Sequence, residues 1–243
     1  MKKTTVQKKK LAIFDIDGTI FRSSLIIEFV KGLIEYGVFP ARAENEIKKE
    51  FDAWLKRKGP YDNYVGKVVD VYDKYIPGVS KKRADIVVRS MLKKEREKVY
   101  RFTRDLVEDL RARGFYLVTI SGSPVYAVTK FAEFMGFHVA LGKVQEIKNG
   151  KFTKNILMLT HKKKDGLLFR FLNEHHIVPD WKGSVAVGDS EGDIEMLELV
   201  GHPIAFNPSS GLARHAKKRG WRIVVERKDV IYDIKDFYFI SHR

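Results

Sequence analysis

The chain has 243 residues, of which 44% are hydrophobic and 12% aromatic, enough for a substantial core in one large domain or two small ones. It has no cysteine, which excludes disulfides and thiolate metal sites and is typical of a reducing compartment. The formal net charge is +15 and no apolar run reaches the length of a membrane span, so the composition predicts a cytoplasmic protein with a positive field and no membrane partner.

The positive charge is concentrated in two segments. Residues 1–10 contain five Lys and no acidic residue, and residues 22–104 contain 20 Lys and Arg against 12 Asp and Glu. Residues 1–10 resemble the start of a signal peptide, but acidic residues soon interrupt the apolar run behind them, so we interpret 1–10 as a basic tail. The field favours anionic ligands, either phosphorylated metabolites or nucleic acid, although a solvated surface is the commoner reason for a charge run.

The first predicted element is a buried strand within residues 11–21. Its apolar run continues to Asp15 and Asp17, which Gly18 and Thr19 follow directly. At this spacing in a strand, the two carboxylates are expected on the same side, where they repel each other unless a cation lies between them. Ligands bind at the carboxyl ends of strands in α/β sheets, so the pair predicts a site. An aspartate pair that caps a turn is the simpler alternative.

Four helical segments are predicted next. They span about 25–37, with Ser23 or Ser24 as the N-cap, then about 42–59, 61–77 and, with a break, 80–114. The second is expected to bury Phe51, Trp54 and Leu55 on one face. The aromatic stripes of these segments favour a helical bundle core over a cofactor site. A connection of roughly 80 residues is too long for an ordinary loop. We therefore predict that residues 22–104 form an all-helical second domain over the carboxyl end of the sheet.

From residue 115 onward, strands alternate with helices, a pattern typical of an α/β fold with a parallel sheet. The predicted strands are 115–121, 138–142, 184–190, 203–207 and 221–226, with a short hairpin around Gly150. The predicted helices are 125–135, 164–174, 193–199 and 211–219. Residues 230–243 have no assigned role. We predict that 11–21 and 105–243 form one α/β core.

Two later segments carry candidate chemistry. Ser121 and Gly122 end a strand, where a hydroxyl and successive N–H groups can bind an anion, although a plain N-cap is common there. Asp189 ends another strand, and Asp193 follows four residues later in the first turn of a helix. Hard oxygen ligands on a turn suit Mg²⁺, whereas the simpler alternative is a capping aspartate.

Together, these segments resemble the motifs of the haloacid dehalogenase-like phosphotransferases. DIDGT at 15–19 is similar to the first motif, SGSP at 121–124 to the second and GDSEGD at 188–193 to the fourth. The third motif is a lysine before an amphipathic helix. Lys164 fits the family's K-x-x-x-L pattern best, with Lys163 and Lys162 as alternatives. The helical insertion, SGSP and the ending NPSSGLARHAKKRGW further resemble the phosphoserine-phosphatase-like branch.

The resemblance implies a Rossmann-like α/β core with an inserted helical cap domain, and a Mg²⁺-dependent phosphatase that forms an aspartyl-phosphate. Asp15 would be the nucleophile and Asp17 the general acid and base. The implied phosphate-binding residues are Ser121, Gly122 and Lys164. The implied metal-binding residues are Asp15, Asp17, Asp189 and Asp193, with Asp17 contributing its main-chain carbonyl.

The substrate is less constrained by the sequence. Phosphoserine phosphatases of this branch carry a glutamate soon after the first motif, where this chain has Ser23 and Ser24. We expect a small polar phosphomonoester. A phosphatase acting on nucleic-acid ends, or a phosphotransferase on the same core, is the alternative. His175 and His176 are interpreted as a surface pair, because no third metal ligand lies nearby in the sequence.

Overall fold

An eight-stranded sheet forms the centre of the molecule, which is described by a computed structural model over residues 8–158 and 164–238. Its strands are β1 (Leu11–Phe14), β2 (Tyr116–Pro124), β3 (Val139–Lys148), β4 (Lys151–Met158), β5 (Val185–Gly188), β6 (His202–Phe206), β7 (Arg222–Arg227) and β8 (Val230–Ile234). The strand order is β4-β3-β2-β1-β5-β6-β7-β8. The edge strands β4 and β8 pair antiparallel and the others parallel, which confirms the predicted α/β class.

Five helices lie between β1 and β2. They are α1 (Leu25–Glu35), α2 (Arg42–Leu55), α3 (Tyr61–Tyr75), α4 (Lys81–Glu95) and α5 (Arg101–Ala112). The predicted break in the fourth segment falls at 96–100. The predicted burial of Leu55 was wrong, because this side chain is 61% exposed. It is one residue beyond Trp54, which rotates it by about 100° away from the face that meets α3. That 22–104 is a separate domain stays a prediction.

The remaining helices alternate with the later strands. They are α6 (Val125–Met135), α7 (Lys164–Glu174), α8 (Ile194–Glu198) and α9 (Ser210–Arg219), and a short 3₁₀ turn at Glu191–Asp193 precedes α8. Gly136 closes α6 in the left-handed conformation, at φ +77°. The predicted hairpin around Gly150 is confirmed, with longer strands than expected because β3 and β4 pair out to Val144 and Met158.

The two faces of β1 feed two apolar cores. Ala12 and Phe14 pack in the core shared with α1, α3, α4 and α6, whereas Leu11 and Ile13 pack in the core shared with α7, α8 and α9. A strand that is buried on both faces has a continuous apolar sequence instead of an alternating one, which is why 11–14 is apolar throughout.

The chain termini are described only in part. Of the predicted basic tail, 1–7 lies outside the described residues, while the Lys9 N–H donates to the Val178 carbonyl at 2.8 Å. Residues 239–243 also lie outside them, and 230–234 form β8 along β7. Among the described residues, no helix combines the length and apolar character that a bilayer crossing requires.

The sheet brings three chain segments to one edge. Phe14 pairs with Thr119 of β2 on one side and with Val187 of β5 on the other. The parallel pairing therefore brings Asp15, which follows β1, Ser121 of β2 and Asp189, which follows β5, to the same edge of the sheet. The strand order reverses direction between β1 and β5, and α/β sheets bind ligands at the carboxyl ends beside such a point.

Candidate active site

Three carboxylates cluster at the carboxyl ends of β1 and β5. Asp15, Asp189 and Asp193 each place an oxygen within 4.8 Å of the others. Asp15 and Asp193 are buried, and Asp189 is partly buried. Among the described residues, Asp15 Oδ2 is a buried oxygen without a hydrogen-bond partner. A buried, unpartnered carboxylate oxygen beside two further carboxylates fits a hard divalent cation such as Mg²⁺.

Lys164, the first residue of α7, supplies the positive charge of this cluster. Its Nζ donates to Asp15 Oδ1 at 2.5 Å and to Asp193 Oδ1 at 2.6 Å, and the side chain is buried. The other candidates, Lys162 and Lys163, lie outside the described residues. Among the described residues, the cluster thus has one ammonium, bonded to two of its three carboxylates, which leaves these groups short of positive charge.

This imbalance appears in the pKa values. Burial raises the pKa of Asp15 to about 7, with Lys164 opposing the rise and Asp193 and Asp17 adding to it. Burial and the charges of Asp15 and Asp193 also raise the pKa of Asp189 well above its usual value. Burial lowers the pKa of Lys164, but the two carboxylates it contacts outweigh burial and raise it. The carboxylates therefore need a further cation to be fully ionised at neutral pH.

Asp193 holds the turn that carries Asp189. Its Oδ2 accepts from the Asp189 N–H at 3.0 Å, the Ser190 N–H at 2.9 Å and the Ser190 hydroxyl at 3.0 Å. Its other oxygen accepts from Lys164. Asp189 itself accepts from the Thr19 hydroxyl at 3.2 Å. Asp193 therefore positions the turn that carries Asp189. Asp193 is buried, whereas Asp189 is only partly buried.

The Asp17 carboxylate accepts hydrogen bonds from two other segments of the site. It accepts from the Leu25 N–H at 2.5 Å, the Ser121 hydroxyl at 2.5 Å and the Ser123 hydroxyl at 2.9 Å. That the side chains of Asp15 and Asp17 share one side stays a prediction, and the charge of Asp17 adds to the raised pKa of Asp15. The Asp17 side chain is outside the group of carboxylates that could hold a metal.

The same contacts cap helix α1. Ser24, one of the two residues predicted as the N-cap, is the N-cap of α1, but its side chain makes no capping hydrogen bond. Asp17 accepts from the first helical N–H, and the Ser123 hydroxyl accepts from the Ile26 N–H at 3.1 Å. The start of α1 is thus tied to two segments of the site.

Ser123 and Thr19 are site residues that the sequence analysis did not select. Ser123 stands two residues after Ser121 in SGSP, with Gly122 between them. The pairing of β2 with β3 shifts register between Ile120 and Pro124. Such an irregularity re-aims side chains, and both serines reach Asp17. The second serine of SGSP was the available signal. His175 and His176 are exposed, as expected for a surface pair.

Gly18 leaves no room for a side chain beside Asp189. Its φ is +86°, and a Cβ there would lie 2.3 Å from Asp189 Oδ2.

Gly78 provides a matched control for Gly18. It has the same φ of +86°, but a Cβ built on it would meet no neighbouring atom within 4 Å. We expect Gly78→Ala to cost about 1–2 kcal/mol of stability from the backbone alone and to leave activity unchanged. We expect Gly18→Ala to cost more and to reduce kcat/KM at least about 10-fold, because Asp189 must move. Urea unfolding and steady-state kinetics check both. Equal stability losses with unchanged kinetics would contradict this role of Gly18.

Comparison with known proteins agrees with this geometry. The family model for haloacid dehalogenase-like hydrolases matches residues 12–198. The phosphoserine phosphatase of Methanocaldococcus jannaschii is 26% identical over 92% of this chain and 95% of its own length. The histidinol-phosphatase of Neisseria meningitidis is 26% identical over 89% of this chain and 98% of its own length.

Solved structures show the same fold. A protein of unknown function from Bordetella pertussis Tohama I superposes with a TM-score of 0.72 at 20% identity, covering 89% of this chain and 98% of that one. A phosphoserine phosphatase bearing an analogue of its phospho-aspartyl intermediate superposes with a TM-score of 0.59 at 24% identity, covering 92% and 96%. The family and the named relatives indicate a phosphatase enzyme. The family match spans the carboxylate cluster, the SGSP segment and Lys164, and the chain belongs to the haloacid dehalogenase-like hydrolase family.

Proposed function

We propose that this protein is a Mg²⁺-dependent phosphatase that hydrolyses a small phosphomonoester through an aspartyl-phosphate on Asp15. The observation that carries the proposal is the unpartnered Asp15 Oδ2, buried in a cluster of three carboxylates that has Lys164 as its one lysine among the described residues. Lys164 contacts the other oxygen of this carboxylate. We assign one oxygen of Asp15 to attack on phosphorus and the other to the metal.

The chemistry divides between the two aspartates of DIDGT. Asp15 attacks phosphorus, the ester P–O bond breaks, and Asp17 donates a proton to the leaving oxygen. Asp17 then accepts a proton from the water that attacks the phosphorus of the aspartyl-phosphate. Phosphate leaves, and Asp15 is regenerated. The Ser123 hydroxyl and the Leu25 N–H hold the Asp17 carboxyl in place for both transfers, and the Ser121 hydroxyl also holds it until it donates its one proton to a bound phosphoryl group.

The transferred group carries negative charge on three oxygens, and most catalysis of phosphoryl transfer comes from stabilising that charge. We assign Lys164, Ser121 and the Gly122 N–H to those oxygens. Asp15, Asp189 and the Asp17 carbonyl would hold Mg²⁺, with Asp193 in support. When bound, Mg²⁺ would neutralise developing charge on the phosphoryl group.

A screen for orthophosphate release tests the proposal. The substrates are phosphoamino acids, amino-alcohol phosphates, sugar phosphates and oligonucleotides with a terminal phosphate, each assayed with Mg²⁺ and with EDTA. We expect Mg²⁺-dependent release from a small ester. Higher kcat/KM for the oligonucleotides would instead favour a nucleic-acid end phosphatase. Transfer to an added alcohol in place of water would favour a phosphotransferase.

Metal binding is expected to depend on pH. The native metal-free protein holds protons on Asp15 and Asp189 that the unfolded chain has lost above the ordinary aspartate pKa. Its stability therefore falls as pH rises from about 4 towards about 7.

Mg²⁺ displaces the protons on Asp15 and Asp189, so it binds more tightly as pH rises through this range. We expect the Mg²⁺-induced rise in Tm to be larger at about pH 8 than at about pH 6. The exposed-site variant Asp105→Asn should keep the effect, and Asp189→Asn should lose it. A Tm rise independent of pH would contradict the assignment.

A further inference from the structure

A cavity of about 240 Å³ adjoins the candidate active site at Gly18. Aromatic side chains from three segments line it: Phe51 and Trp54 of α2, Tyr61 and Tyr64 of α3, and Tyr100 just before α5. Gly18 follows Asp17 directly, and a Cβ there would lie 2.3 Å from Asp189 Oδ2, so the cavity adjoins both chain segments that carry these aspartates. A leaving group that enters the cavity would meet this aromatic wall.

The rings of the wall are ordered by contacts with one another. Trp54 stacks on Tyr64 with centroids 5.5 Å apart and an interplanar angle of 14°. Phe51 lies 5.3 Å from Tyr64, and Trp54 lies 5.4 Å from Tyr61. Side chains that fix each other in this way present ring faces and edges at a low entropic cost, which favours a flat aromatic ligand over a flexible one.

Tyr61 connects the wall to the catalytic groups. Burial raises the pKa of its hydroxyl, and the charges of Asp17 and Asp189 add to the rise. Tyr61 and Gly18 line the same cavity, so a ring that contacts Tyr61 occupies the space beside the glycine that follows Asp17.

The charged residues that line the cavity are Arg22 and Lys31, and none of its described lining residues is acidic. Glu28, the acidic residue nearest in sequence, accepts from Ser23 at 2.8 Å and pairs with Lys31 at 3.2 Å. Glu28 therefore contacts two lining residues, but Lys31 already neutralises its charge, and an ammonium group on the leaving group would also meet Arg22. The lining suits a neutral or anionic ring better than an amino acid of the size of serine.

There is room beyond the first cavity. A second cavity of about 670 Å³ lies between α1, α2 and α3 and shares Ile27, Lys31, Phe51 and Tyr64 with the first. The shared residues make the two spaces neighbours. The second cavity differs from the first in having two acidic lining residues, Glu35 and Glu44.

We infer that the substrate is a small phosphomonoester whose leaving group carries an aromatic ring, held by Trp54 and Tyr61 at the mouth of the 240 Å³ cavity. The inference rests on the proposed phosphatase function. It narrows the small polar ester expected from the sequence to one with a flat ring beside the phosphate.

The test compares three alkyl phosphates: phenethyl phosphate, cyclohexylethyl phosphate and phosphoserine. The first two differ in the flatness and electron distribution of the ring, and their leaving alcohols have similar acidity. We expect kcat/KM for phenethyl phosphate to exceed that for cyclohexylethyl phosphate about 10-fold, and to exceed that for phosphoserine by more. Calorimetric titration of the Asp15→Asn variant with the same esters should give the same order of Kd.

The variants are Trp54→Leu and Tyr61→Leu, with Tyr36→Leu as the control. Tyr36 is 44% exposed at the end of α1 and lines neither cavity. We expect each of the first two to remove most of the preference for the phenyl ester and the control to keep it. Tyr61 is 37% exposed, so we expect its replacement to disturb folding less. The Tyr61→Leu variant therefore provides the test if the Trp54→Leu variant does not fold.

The outcomes separate the two proposals. Release of phosphate from the esters without preference for the phenyl ring overturns the aromatic assignment and leaves the phosphatase intact. A preference that survives in both cavity variants also overturns it, because the ring is then bound elsewhere. Failure to release phosphate from any ester, including those in the wider screen, overturns both.

Discussion

Replacing Asp15 by asparagine is expected to abolish phosphatase activity, with a loss of at least about 10⁴-fold in kcat, while the fold is kept. Asparagine has nearly the same shape as aspartate, and its side-chain oxygen can still accept from Lys164. It cannot act as the nucleophile. The substitution also removes one of three mutually repelling carboxylates, so the metal-free variant should be at least as stable as the wild type.

Steady-state assays and urea unfolding measure the two effects. Asp105→Asn provides the matched control, because Asp105 lies exposed on α5 and pairs with its neighbour Arg104. This control should change neither activity nor stability appreciably. Wild-type turnover in the Asp15→Asn variant would exclude Asp15 as the nucleophile. A large loss of stability would show that Asp15 is primarily structural.

The second large effect is expected at Lys164. Lys164→Met removes the ammonium that Asp15 and Asp193 share, and it leaves two buried carboxylates without their cation. Breaking a buried ion pair in this way costs about 3–5 kcal/mol. Activity should fall as well, because the phosphoryl oxygens lose their lysine. Mg²⁺ should recover more of the lost Tm in this variant than it adds to the wild type.

Lys143→Met separates stability from catalysis. Lys143 is also buried, and its Nζ lies 2.5 Å from Asp73 Oδ1, so it pairs with a carboxylate that is not one of the three in the cluster. We expect this control to lose stability but to keep wild-type kcat/KM for the enzyme that remains folded. If both lysine variants were equally active, Lys164 would be a structural residue and its assignment to the phosphoryl oxygens would be wrong.

Most helices and strands could be predicted because the residues that begin, bury or end each one lie within or directly beside that element in the sequence. The apolar run 11–14 is buried on both faces, and Gly136 ends α6 with a positive φ that glycine adopts without strain. The predicted burial of Leu55 was wrong for a local reason as well, because moving one residue along a helix turns a side chain towards a different face. The edge strand β8 was missed because an exposed edge carries a weak apolar alternation.

The site was predictable in its residue types but only partly in its contacts. Side chains at the ends of β1 and β5 converge because parallel strands end at the same edge, which the predicted α/β class already implied. The bonds from Ser121 and Ser123 to Asp17 join residues about a hundred positions apart, and they depend on an irregularity in β2. Lys164 was selected by resemblance to a family pattern, since three adjacent lysines are equivalent in composition and charge.

The central claim is that the phosphoryl group passes through Asp15. Acid quenching during turnover, followed by borohydride reduction and peptide mass spectrometry, locates an acyl phosphate by converting its aspartate to homoserine. We expect homoserine at position 15 in the wild type and none in an enzyme quenched without substrate. Phosphate found instead on Ser121 or Ser123, or turnover without any covalent phosphoenzyme, would contradict the mechanism.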